Sequence, residues 1–142
     1  MKKILLLLIP AAFVIQSCNK GCTDPNANNY VADATNDDGN CTYDATVTFW
    51  YDQNQSIAWD QSGVTTLDVE VGGVSLGTAY SVSTYWVTEP TCADAGTINV
   101  NKNLGADATK SLDWVVKDQN GATLKSGTWS AVGGSCSIIQ VN

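Results

Sequence analysis

Leu67-Asp68-Val69-Glu70-Val71-Gly72-Gly73-Val74-Ser75-Leu76 alternates apolar and acidic residues, meets two glycines, and resumes apolar. A period of two puts Leu67, Val69 and Val71 on one face and Asp68 and Glu70 on the other, the pattern of a half-buried strand. Gly72-Gly73 supplies the positive φ that a tight turn demands, so the chain should fold back into Val74 to Leu76, with Gly77 as a bulge or bend. The same pattern recurs on both sides. Val47, Phe49 and Tyr51 share a face opposite Thr48, Trp50 and Asp52, and Ser56 to Trp59 reads as a further short strand. Tyr85 and Val87 alternate with Trp86, and Ile98 and Val100 with Asn99. Leu112, Trp114 and Val116 alternate up to Asp118-Gln119-Asn120-Gly121, where Asn-Gly predicts a hairpin into a strand over about 123–132. Ile139 and Val141 lie in the last strand. No stretch after residue 18 shows sustained helical periodicity. Seven or eight short strands at this spacing predict an all-β fold, an antiparallel β-sandwich of immunoglobulin-like type.

The amino terminus differs in kind. Lys2 and Lys3 precede the apolar run Ile4 to Val14. A spanning helix needs about 20 apolar residues, so this run fits a secretory leader and not a membrane anchor. Ile15-Gln16-Ser17-Cys18 follows and resembles the lipobox of bacterial lipoproteins. That resemblance implies cleavage before Cys18 and acylation, including palmitate, of Cys18 itself; several acyl chains give stable anchoring. The expected division is 1–17 as lipoprotein signal peptide, 18–44 as a short cysteine-bearing segment, and 45–142 as the β-sandwich.

Five cysteines minus Cys18 leave Cys22, Cys41, Cys92 and Cys136. In an oxidising compartment four thiols predict two disulfides. Of three pairings, Cys22–Cys41 with Cys92–Cys136 is favoured, since each pair lies within one compositional segment. Histidine is absent and no cysteines are closely spaced, which argues against zinc. Loss of Lys2 and Lys3 with the leader takes the net charge from −7 to −9. A chain so acidic repels nucleic acid, which is not expected as a partner.

Residues 19–44 are rich in Asn, Asp, Thr and Ala and poor in large aliphatics, so a Cys22–Cys41 bridge would be their main staple. Gly21-Cys22-Thr23-Asp24-Pro25, Asn29-Tyr30, Ala34 and Asp37-Asp38-Gly39-Asn40-Cys41 resemble a two-cysteine repeat of secreted Bacteroidota and marine bacterial proteins, with Asn40 where serine is usual. The resemblance implies a compact extracytoplasmic spacer. Asp33, Asn36 and Asp38 are weak calcium candidates. An EF-hand alignment through Gly39 puts Ala34 and Ala45 at ligand positions, so that loop is excluded; a looser calcium site and simple turn-forming Asx residues stay open. The second segment resembles small Bacteroidota proteins and, loosely, prealbumin-like and PEGA-type domains. It does so through Val69 to Thr78, Pro90-Thr91-Cys92, Asp118 to Gly127 and Gly133 to Cys136. That likeness implies an accessory domain without catalysis.

Absence of histidine removes the commonest general base. Asp68 with Glu70, or Asp113 with Asp118, could serve a glycosidase but sit on outward positions. No enzyme is expected, and no cofactor beyond the lipid. Alternation turns Trp50 and Trp86 outward; with Trp59, and Trp129 considered beside them, they would form a platform for a sugar ring or a protein partner, unless a loop or the first segment covers them. The expected function is a membrane-anchored, non-catalytic structural or interaction subunit of a larger outer-membrane complex, with an envelope protein as partner. The alternative is a glycan-binding module. The lipoprotein resemblance also implies a location: Asn19 stands where inner-membrane lipoproteins of enteric bacteria carry Asp, which favours the outer membrane, and Asn19-Lys20-Gly21 stands where surface-exported Bacteroidota lipoproteins carry an acidic run, which favours the periplasmic face over the cell surface.

Overall fold

The computed structural model describes residues 18–92 and 94–142, so the leader over 1–17 lies outside the described residues. The chain builds β1 (Lys20–Gly21), β2 (Asn36–Asp37), β3 (Tyr43–Trp50), α1 (Gln53–Gln61), β4 (Thr66–Val71), β5 (Val74–Ser75) and β6 (Tyr80–Ser81). It continues with β7 (Ile98–Gly105), β8 (Thr109–Asp118), β9 (Thr123–Val132) and β10 (Cys136–Gln140). Two sheets face each other, a three-stranded sheet ordered β10-β3-β7 and a five-stranded one ordered β5-β4-β8-β9 with β6 also on β4. The all-β sandwich expected from alternation is the fold. One pair departs from the antiparallel expectation: β10 runs parallel to β3, with Ile139 opposite Phe49.

Inward residues of the two sheets form one core. Val47, Phe49, Val69, Val71, Val100 and Val116 are buried in it, and the Phe49 and Trp114 rings meet across the sandwich with centroids 5.4 Å apart. Burying each such side chain contributes about 1.5–3 kcal/mol against the ordering cost. Opposite Trp114 on β9 stands Gly127, and a Cβ there would lie 2.6 Å from the indole, so only glycine leaves room for the ring. Gly72 and Gly73 take φ of 61° and 74°, the turn their pairing predicted. At the second hairpin, Asp118 N–H donates to the Ala122 carbonyl 2.9 Å away and Gly121 has φ 82°, so the loop is one residue longer than a two-residue Asn-Gly turn.

Residues 53–61 overturn an expectation. Ser56 to Trp59 is not a strand but part of α1, and burial falls on Ser56 and Trp59, three residues apart on one face. Asp52 caps the amino end by accepting from Gln55 N–H at 2.8 Å. At the other end Gly63 N–H donates to Asp60 carbonyl and Val64 N–H to Trp59 carbonyl, the paired bonds of a Schellman stop, with Gly63 at φ 81°. Only two buried residues give α1 too weak an apolar stripe to register as periodicity. Its signals were Asp52 three before Gln55, and Gly63. A strand was also expected at Tyr85 to Val87; there the backbone makes one isolated bridge, Trp86 to Asp52, and no strand.

The first segment is tied to the sandwich. Cys22 and Ala27 join the same apolar cluster as Tyr43 and the sandwich core. Tyr43 hydroxyl donates to Asp24 at 2.8 Å, and Asn29 clamps the far strand end, donating to Asn40 carbonyl and accepting from Thr42 N–H. Gly134, φ 68°, packs so close that a Cβ would lie 2.8 Å from the Asn26 carbonyl oxygen. β1 and β2 pair in parallel, a two-stranded sheet that the polar composition of 19–44 did not announce.

Candidate functional site

The outer face of the three-stranded sheet is where the chemistry of the side chains gathers. Because directly paired residues share a face, Thr46, Thr48 and Trp50 of β3 stand with Asn101 and Asn99 of β7 and with Cys136, Ile138 and Gln140 of β10. Thr48 hydroxyl donates to Asn99 Oδ1 at 2.7 Å, and Asn101 donates to Thr46 at 3.4 Å. Cys136 projects from this face into its bond with Cys92, Cα atoms 6.2 Å apart. That bond fixes the connection over 82–97 to the outer face. Further ties are Trp86 N–H to Tyr51 carbonyl at 3.0 Å and Asn99 Nδ2 to Asp94 carbonyl at 3.5 Å. Thr97 hydroxyl donates to Asp94 carbonyl, while Thr91 holds the Asp94 carboxyl below its ordinary range by hydrogen bonding, its backbone N–H donating at 2.7 Å.

This covering corrects the tryptophan platform. Alternation does turn Trp50 away from the core, but it is only 7% exposed, because it shares a small cavity with Trp86, Gly96 and Thr97 of the covering segment. Trp59 is 5% exposed, packed edge-on against Tyr51 at 5.0 Å between centroids. Trp129 is buried too and donates to Ser137 at 3.0 Å. Trp86 alone of the three expected platform residues keeps an intermediate exposure. No flat, exposed pair forms from Trp50, Trp59 and Trp86. The covering segment exposes Tyr85 (38%) and Val87 (85%), and single apolar side chains are exposed elsewhere at Tyr30, Ile57, Val74 and Val132.

Burial has two electrostatic marks here. Tyr51, whose hydroxyl donates to Ser81 carbonyl at 2.8 Å, has its pKa pushed up to about 12 because the phenolate would be desolvated. Trp50 Nε1 is buried and has no hydrogen-bond partner among the described residues.

Both disulfides form as the favoured pairing has it, Cys22–Cys41 and Cys92–Cys136, with Cys18 left as an exposed free thiol. Asn36 Nδ2 donates to Cys18 Sγ at 2.9 Å. The calcium candidates carry local bonds: Asp33 accepts from Asn19, and Asp38 accepts from Asn40 N–H in an Asx turn. Among the described residues no three His, Cys, Asp or Glu side chains are grouped to hold a metal ion. The outward carboxylates are likewise engaged, Asp68 with Ser75, Glu70 with Lys117, Asp113 with Thr128, and Asp118 with the Asn120 and Ala122 N–H groups. An open groove of about 450 Å³ beside Thr66–Asp68 and the 117–121 hairpin is lined by several of these groups. Its carboxylates and Lys117 are therefore spent on neighbours.

Sequence reasoning placed Trp50 on the correct face and left open whether a loop covers it; the structure shows the cover and the residues that make it. The signal available was the cysteine pairing: with Cys136 on a strand next to β3, a bond to Cys92 must carry the intervening segment over one face of that sheet. No family model matches the chain, and neither a curated protein nor a solved structure matches it.

Proposed function

We propose that the chain is an exported lipoprotein of the cell envelope, anchored to the outer membrane through acylated Cys18 and acting as a non-catalytic interaction subunit of a larger assembly. The observation that carries this reading is the partition of the cysteines. Four thiols close into two disulfides, which suits an oxidising compartment, and the fifth, Cys18, is exposed and forms no disulfide among the described residues. The charge, length and small-residue pattern of 1–17 supply the leader that such a cysteine needs. For partner contact, Tyr85 and Val87 on the disulfide-tied segment offer exposed apolar surface, and tyrosine is among the residues that dominate interfaces.

Metabolic labelling with an alkynyl palmitate analogue tests the anchor. The wild-type chain should incorporate label and lose residues 1–17, whereas Cys18→Ala should persist as unlabelled precursor. A mature chain cut elsewhere with Cys18 unmodified overturns the assignment. For the interaction role, a partner co-purifying with the wild-type lipoprotein from detergent-solubilised membranes should be depleted by Val87→Asp; equal recovery removes this surface as the contact.

A further inference from the structure

Between an acylated cysteine and its domain, a flexible stretch of n residues lets the domain wander by about 5–6 Å × √n. No such stretch separates Cys18 from the fold. The Asn19 carbonyl accepts from the Thr35 and Asn36 N–H groups at 2.9 and 3.3 Å, and its side-chain amide donates to Asp33 at 2.8 Å. Lys20 and Gly21 then pair with Asn36 and Asp37, and Asn36 Nδ2 reaches back to Cys18 Sγ. The segment is fixed to the sandwich by the Cys22–Cys41 bridge, by Asn28 N–H on the Thr42 carbonyl at 2.7 Å, and by the Tyr43 hydroxyl on Asp24. An unbroken series of contacts therefore joins the residue after Cys18 to the core. The strands decide what lies far from that point. Tyr43 of β3 stands beside Gly105 of β7, and a Cβ on Gly133 would meet the Tyr43 ring, so the turns near 105 and 133 gather at this end. β3, eight residues long, then spans about 24 Å at roughly 3.4 Å per step. At its other end lie α1, Trp86 bridged to Asp52, and the 118–122 hairpin beside the open groove.

We propose, resting on the reading that Cys18 is acylated, that the first segment is a lipid-facing base. Residues 19–21 and 33–37 rest among the headgroups of the bilayer and hold the sandwich with α1 and the 118–122 hairpin directed into the aqueous phase. Acyl chains on Cys18 put that residue at the headgroup level, and Asn19, Thr35 and Asn36 cannot leave it without breaking their bonds. The exposed side chains there are Asn19, Lys20, Asp33, Thr35, Asn36 and Asp37. Polar groups of this kind exchange hydrogen bonds with headgroups and water and would lose both in hydrocarbon, so the base lies on the surface and does not insert. Lys20 is the one cation among residues 19–44, with Asp33, Asp37 and Asp38 in the same segment. The surface that fits is therefore zwitterionic, since an anionic one repels it. The far-end surfaces are offered to partners at a set height and direction, without the freedom of a tether.

The test is paramagnetic broadening of backbone amides in the ¹⁵N-labelled native lipoprotein. It is held in phosphatidylcholine nanodiscs doped with a gadolinium-chelating headgroup, with lutetium as the diamagnetic reference. Amides of 19–21 and 33–37 should lose most of their intensity, and those of 53–61 and 118–121 should keep it. Inserting about twelve Gly and Ser residues between Cys18 and Asn19 leaves the folded body intact and adds about 17–21 Å of root-mean-square reach, so the contrast between the two ends should collapse. Equal broadening at both ends of the wild-type chain, a reversed gradient, or a contrast unchanged by the insert overturns the proposal. Mass spectrometry of the same sample separates the two readings. A chain without acyl groups on Cys18 overturns the anchor and this inference together, whereas an acylated chain without the gradient overturns this inference alone.

Discussion

Replacing Cys92 and Cys136 together with serine removes the cross-link that holds residues 82–97 on the outer face of the β10-β3-β7 sheet. The bridged residues are 44 apart in sequence, and a closed loop of that length restricts the unfolded chain by about 4 kcal/mol in the chain-entropy treatment. For a chain of this size each kcal/mol corresponds to about 3–4 °C in Tm, so melting should fall by roughly 12–16 °C. Urea unfolding of both proteins, followed by circular dichroism and tryptophan emission, measures the loss as a drop in midpoint, with a steeper slope because the unfolded chain without the cross-link is less compact. A second effect is local. With Cys136 no longer bonded, the covering segment keeps only bonds such as Trp86 N–H to Tyr51 carbonyl, and Trp50 should become accessible to acrylamide before the core unfolds. The Phe49–Trp114 contact inside the sandwich should persist, so near-ultraviolet dichroism from the core should be retained. A loss below about 1 kcal/mol, with Trp50 still shielded, would refute the idea that this bond is what keeps the outer face covered.

Three further outcomes are expected. Gly127→Ala would place a Cβ 2.6 Å from the Trp114 indole, which is itself packed on Phe49, so it should cost about 1–3 kcal/mol in urea unfolding; an unchanged midpoint would show that the ring can withdraw. Asp52→Ala removes the acceptor for Gln55 N–H at the start of α1 and should cost about 1 kcal/mol, while Asp52→Asn, which can still cap, should cost much less. Burial raises the Tyr51 pKa from 10.0 to about 12, so the unfolded chain releases this proton first; the stability is complete below pH 10 and is lost as pH rises toward 12, by about 2–3 kcal/mol. Tyr51→Phe should flatten that part of the stability profile, and an identical slope in the variant would contradict the assignment.

Everything governed by local period or local chemistry was open to the sequence. Alternation at Leu67 to Val71 fixed which side chains face the core, because a strand exposes successive residues to opposite sides whatever its partners are. Gly72-Gly73 announced its turn through the φ that only glycine adopts freely, and segment membership was enough to favour the correct cysteine pairing. What required the tertiary structure was every property set by residues distant in the chain. The parallel pairing of β10 with β3 joins residues about 90 positions apart, and nothing in either strand's own pattern states its direction. α1 was invisible as a period because only Ser56 and Trp59 meet the core, and its stability comes from its caps and from Trp59 against Tyr51. Trp50 shows the division most sharply: its own strand determined that it points away from the core, but whether that direction meets water depends on a segment more than 30 residues later and on the bond from Cys92 to Cys136. Alternation specifies a face, and burial is a property of whatever comes to lie on that face.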